Sequence, residues 1–145
     1  MPSVGEVAVV RGDDGTLQAH VKLCDGGGPL DGVTVYGFED SDAEGASENV
    51  LLEIDAAGEV TDASSWILED RAGAPLAFDE VTPNRLVGIY GWTDSNQESL
   101  DGPEGSVAVW RAIEPGQVMK IDGSGETVVQ AGSIDEWLDD PCWNR

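Results

Sequence analysis

The chain has 145 residues, of which 29 are Asp or Glu and 7 are Lys or Arg, for a formal net charge of -22 at pH 7. That length suits one domain with its own core and argues against a multi-domain enzyme, while a hydrophobic fraction of 40% with five Trp rules out disorder as the meaning of the acidity. The same charge argues against bare nucleic acid and anionic membranes as partners, because both are held by Lys and Arg clusters and none occurs here.

Residues 6–11 and 16–24 read as strands joined by a turn at Asp13, Asp14 and Gly15. In the second, Leu17, Ala19, Val21 and Leu23 share one face while Gln18, His20 and Lys22 share the other, the period of two expected of a half-buried strand. Further strands are predicted at 33–38, 49–54, 66–69, 76–81, 86–92, 107–112, 117–121 and 127–130. Trp66, Trp92 and Trp110 lie in these strands among apolar neighbours, which assigns them to the core. The acidic, small-residue stretches 39–48 and 93–105 read as exposed loops. One segment alone reads as helix: Ser133 and Glu136 match a capping box, Trp137 and Leu138 anchor the turn behind it, and Pro141 ends it. Asp139 and Asp140 stand at the negative end of that helix dipole, so it should be very short. Short strands punctuated by 19 Gly leave no room for crossover helices. The fold expected is therefore all-β, an antiparallel β-sandwich or barrel with one short C-terminal helix, in a single domain over 1–145. The connector-like run 71–75 marks an alternative break into two subdomains.

Catalytic groups are scarce. With one His, sites built from three His are excluded, and His20 falls on the polar face of its strand. No nucleophile elbow precedes a helix, and GGGPLDG lacks the Lys of a phosphate loop. The expectation is a non-enzymatic protein without a cofactor. Asp40, Asp42, Glu44 and Gly45 form a D-x-D-x-E-G run similar to the start of a calcium loop, but the twelfth position is Leu51 where a bidentate Glu is needed. Ca²⁺ at Asp40, Asp42 and Glu44 is the one metal site the chain suggests, against the plain reading of a solvated acidic loop; Asp94, Asn96 and Glu98 form a weaker version. Arg11, Gly12 and Asp13 spell RGD at a strand end, where an adhesive role is not expected. Cys24 and Cys142 form no C-x-x-C pair, and two cysteines in a chain whose start lacks a signal-like pattern are expected to be free, with a long-range disulfide as the alternative. The start MPSVGEVAVV has no basic region and no long apolar stretch, which predicts synthesis and assembly in the cytoplasm.

Two meanings remain for the acid excess: a basic partner, or adaptation to molar salt, where the Debye length falls to about 3 Å. The carboxylates are scattered, and Lys22 and Lys120 are the only lysines beside five arginines, a pattern similar to haloarchaeal proteins, so the second is preferred. The C-terminal run places Trp143 almost at the chain end; together with Trp137 it is the candidate aromatic anchor for a neighbouring subunit, the alternative for Trp143 being burial on its own domain.

Two stretches resemble known families. Over 16–62, Pro29, Leu30, Gly32, Val33 and Val35 match a G-x-P-L-x-G-V-x-V phrase, which resembles prealbumin-type and Ig-like sandwich repeats of surface proteins. Over 115–133, Pro115, Gly116, Val118, Asp122, Gly125 and Ala131 are similar to the hairpin of small head decoration proteins of tailed viruses. The second resemblance implies a virion structural protein of a haloarchaeal virus, binding a capsid lattice through strand edges and an aromatic anchor as a closed homo-oligomer, with a trimer favoured. The first implies a haloarchaeal β-sandwich binding module. A binding module would display an aromatic surface near Trp66, Trp92 or Trp110, whereas a decoration protein would bury such rings in its core or subunit contacts.

Overall fold

The computed structural model describes residues 3–23, 30–38, 48–55, 64–69, 73–76, 78, 85–92, 99–122 and 124–140. The protein is all-β: among the described residues, ten strands lie in one curled sheet that forms a half-barrel around the main core. Strand β1 (Ser3–Arg11) pairs antiparallel with β2 (Leu17–Leu23) along its length. The predicted turn joins them: Asp14 Oδ1 accepts from the Thr16 amide at 3.0 Å and the Thr16 hydroxyl at 2.7 Å, and Gly15 takes a φ of 88° that favours glycine.

The neighbouring strands are β3 (Gly32–Phe38), β4 (Glu48–Asp55), β5 (Ser65–Ile67) and β6 (Leu86–Trp92). β6 lies between β3 on one side and, on the other, two short strands in succession, β7 (Ser99–Asp101) and β8 (Glu104–Ser106). These two short strands fall where sequence predicted an exposed loop over 93–105. The break is at Gly102, where a Cβ would stand 2.0 Å from the Ile89 carbonyl oxygen, so only glycine lets the chain pass. β7 also pairs parallel with β1, closing the curl. The sheet is therefore mixed rather than wholly antiparallel. β9 (Gln117–Ile121) and β10 (Thr127–Ala131) extend it from the second half of β1. Their turn is held by Asp122 Oδ1, which accepts from the Ser124 amide, the Ser124 hydroxyl and the Glu126 amide at 2.8, 2.7 and 3.1 Å. Of the strand expected over 76–81, Leu76 and Phe78 are described, and both lie outside any strand; Phe78 is buried in the core.

Residues 107–112 overturn the one-helix expectation. They form helix α1 (Val107–Ala112) instead of a strand. Val107, Trp110 and Ile113, three apart, are all buried while the positions between them are exposed, which is a helical period. Ser106 caps the start by accepting from the Val109 amide at 3.4 Å. Arg11 closes the other end, donating from Nε to the Ile113 carbonyl at 2.6 Å and from a terminal nitrogen to the Trp110 carbonyl at 3.3 Å. The RGD arginine is thus a structural clamp. Trp110 is fully buried; its indole N–H donates to the Val87 carbonyl at 2.9 Å, and its ring meets Phe78 edge-on at 5.9 Å.

The main core, which includes Val7, Leu17, Leu68, Phe78, Trp110 and Met119, draws on residues from both sides of 71–75. A second, smaller cluster lies on the opposite face of β1 and β9, where Ala8 and Val118 meet Trp137 of helix α2 (Ile134–Asp139). The face of β2 expected to be solvated is therefore covered at one end, and Lys22 is buried at 4% exposure.

Candidate binding surfaces

Helix α2 is built as the capping box predicts on one side only. Ser133 Oγ accepts from the Glu136 amide at 3.1 Å, while the Glu136 carboxylate accepts from the Ser133 hydroxyl at 3.3 Å rather than from a backbone N–H. Its C-terminus carries the two acids that sequence marked as unfavourable, and both lysines of the chain reach that terminus, one to its carbonyls and one to the Asp140 carboxylate. Lys22 Nζ donates to the carbonyls of Trp137 at 2.8 Å and Asp140 at 3.1 Å, and stands 4.6 Å from the centroid of the Trp137 ring. It also pairs with Glu6, placed directly opposite it by strand register, at 3.8 Å. Lys120 pairs with the Asp140 carboxylate at 3.4 Å. Trp137, at 2% exposure, packs its ring on its own sheet. A cavity of about 80 Å³ beside Lys120, Ser133, Glu136 and Trp137 has room for two or three waters at about 30 Å³ each.

The predicted calcium ligands Asp40, Asp42 and Glu44 lie outside the described residues, as do Trp143, Cys24, Cys142 and the weaker run at Asp94, Asn96 and Glu98. Among the described residues no group of three or more His, Cys, Asp or Glu comes together in a metal-binding arrangement. His20 is half-buried opposite Ala8 and Ser65, and burial pushes its pKa below the usual 6.5. No helix among the described residues is long and apolar enough to cross a membrane.

Two surfaces combine exposure with features suited to binding; β10, at the other end of the sheet path, also has a single strand partner among the described residues. The first is the outer edge of β4, the last strand of the sheet path, which nothing pairs with among the described residues. Its Val50 is 58% exposed, and Glu53 and Asp55 stand exposed along the same strand. The second is the outer face of β3 and β6. Register sets Tyr36 opposite Gly88, Thr34 opposite Tyr90 and Gly32 opposite Trp92. Each glycine lies under its neighbour's ring: a Cβ on Gly88 would come 2.4 Å from Tyr36 Cζ, and one on Gly32 would come 2.2 Å from Trp92 Cζ2. Tyr36 thus reaches across β6 to donate its hydroxyl to Glu104 Oε2 on β8 at 2.7 Å. Trp92 Nε1 donates to Thr34 Oγ1 at 2.9 Å, and Tyr90 stands beside Tyr36 with centroids 5.6 Å apart and planes tilted by 52°. All three rings are half-buried.

Of the three tryptophans assigned to the core, Trp110 is fully buried, Trp66 is half-buried against the main core, and Trp92 belongs to this outer face. Sequence reasoning named Trp92 as a possible surface but missed Tyr36, Tyr90 and Glu104. The signal was available in the alternation of LVGIYGW, which puts Gly88, Tyr90 and Trp92 on one side. Comparison with protein-family models, curated proteins and solved structures gave no match.

Proposed function

We propose that the protein is a non-enzymatic virion structural component of a halophilic archaeal virus, a capsid decoration protein that assembles in the host cytoplasm and docks on the capsid lattice as a homo-oligomer, with a trimer the favoured form. The observation that carries this reading is the open edge of β4. An unpaired strand edge presents a row of backbone donors and acceptors to another chain, and here it bears an exposed Val50 beside the carboxylates of Glu53 and Asp55. At low salt those acids repel a like-charged copy. In brine the Debye length shrinks to about 3 Å and the repulsion is screened, so the edge becomes available under the conditions the -22 charge suits. The 115–133 hairpin, whose resemblance motivates the virion assignment, forms β9 and β10 with the Asp122 turn intact.

A second reading, a haloarchaeal β-sheet binding module, is favoured by the aromatic outer face of β3 and β6. Affinity purification of tagged protein in brine separates the two. Co-purification with a shell-forming protein, visible as closed particles by electron microscopy, supports decoration, as do neighbouring genes for a portal, protease or major capsid protein. Recovery without any shell protein, from a gene set among metabolic enzymes, contradicts it.

A further inference from the structure

We propose that the outer face of β3 and β6 is a binding surface for neutral saccharides, with Tyr36 and Trp92 as the stacking rings and Glu104 as a hydrogen-bond acceptor at its rim. This goes beyond the assembly reading and does not depend on it: the rings and Glu104 lie on β3, β6 and β8, away from the β4 edge, and Glu53 and Asp55 alone border both surfaces.

Three observations point the same way. First, the rings are mounted rather than buried. Glycine at 88 and at 32 clears the space that Tyr36 and Trp92 occupy, so each ring is laid over sheet backbone with part of its surface left to solvent. Both are fixed in place by their polar atoms, Tyr36 on Glu104 and Trp92 on Thr34. A pre-positioned ring loses little freedom when a ligand stacks on it.

Second, the polar groups around the rings are acceptors. Among the described residues, the charged ones that register places on this face include Glu53 and Asp55 of β4 and Glu104 of β8, and all are acidic. A saccharide offers C–H faces to the rings and hydroxyl donors to those carboxylates. Nucleic acid would also stack on aromatic rings, but it needs cations, and the charged residues that register places on this face are acidic among those described.

Third, the arrangement is a platform and not a cage. Tyr90 and Trp92 share one side of β6, two residues and therefore about 7 Å apart along it, whereas capture of a quaternary ammonium group calls for rings that enclose the charge. The face therefore fits a flat ligand extended along the strand.

The test is calorimetry in about 3 M KCl, where self-repulsion is screened, with maltohexaose, cellohexaose and chitohexaose as neutral probes and with polygalacturonate, oligo(dT) and choline as controls. Binding of at least one neutral hexasaccharide and of none of the controls is expected. Trp92→Ala and, separately, Gly88→Ala, which pushes Tyr36 off its seat, should each weaken it about tenfold or more, equivalent to a shift of one decade in Kd. Tyr36→Phe keeps the ring and should retain most of the affinity. Unchanged far-UV circular dichroism in the Gly88→Ala variant distinguishes loss of the surface from loss of the fold. No heat with any of the three saccharides, stronger binding of choline or an anionic probe, or saccharide binding that survives both Trp92→Ala and Gly88→Ala, would overturn the proposal.

Discussion

Replacing Lys22 with Met removes the cation that holds α2 on the sheet. Lys22 and Glu6 are 4% and 3% exposed, and Lys22 Nζ satisfies the carbonyls of Trp137 and Asp140. The substitution removes the cation paired with the buried Glu6 carboxylate, a loss of about 3–5 kcal/mol for breaking a buried pair. At roughly 3 °C per kcal/mol for a domain of this size, the melting temperature should fall by about 10–15 °C. The double variant Glu6→Gln, Lys22→Met removes the buried negative charge as well and takes the Lys22 donor from the two carbonyls, a loss of about 1–3 kcal/mol. It should therefore be more stable than Lys22→Met alone. Lys120→Met is the control, because its partner Asp140 has a side chain 55% exposed, and such a surface pair is worth about 0–1 kcal/mol. The assay is urea unfolding in about 3 M KCl followed by far-UV circular dichroism, each midpoint converted with a shared m-value. A Lys22→Met variant within about 1 kcal/mol of the parent would refute the latch, and so would a double variant whose loss equals the sum of the two single losses.

Gly102→Ala should destabilise by several kcal/mol or prevent folding, since its Cβ would lie 2.0 Å from the Ile89 carbonyl oxygen, whereas Gly116→Ala, with nothing within 4 Å and only a φ of 90° to strain it, should cost about 1 kcal/mol; comparable melts for the two would contradict the packing at the β7–β8 break. Acidification should lower stability in two windows. Burial depresses the His20 pKa, so the native state binds fewer protons than the unfolded chain as pH falls below 6.5, and stability drops there. The hydrogen bonds to Asp14 and Asp122 hold their carboxyls below 3.8, so their contribution is present above that value and is lost at lower pH. His20→Gln should remove the upper window alone, which melting curves across pH will check. The melting temperature should rise between about 0.1 M and 3 M KCl as screening relieves the self-repulsion of the -22 charge; a flat response would remove the case for salt adaptation.

The strands were legible wherever alternation and turn chemistry coincided, as in residues 17–23 and in the Asp122 turn. Residues 107–112 were not, because Val, Trp and Val favour strands intrinsically and the deciding factors were the Ser106 cap and the three-residue spacing of Val107, Trp110 and Ile113. The polar face of β2 was misread for a similar reason. Period two says that Lys22 points away from Leu23, but not that a helix from the far end of the chain will cover it. The aromatic face is a cross-strand property: Gly88 matters because register places it under Tyr36, and register is invisible in either strand alone.

Light scattering coupled to size exclusion, in about 3 M KCl where the edge acids are screened, tests the assembly account most directly. The account predicts a mass that is a whole multiple of the 15.3 kDa chain, with three copies favoured, and a return to one copy in a Val50→Lys variant, which replaces the exposed apolar side chain of the β4 edge with an ammonium that pairing would have to desolvate. A parent protein that stays at 15.3 kDa in brine at every concentration, or a Val50→Lys variant that assembles as the parent does, would contradict it.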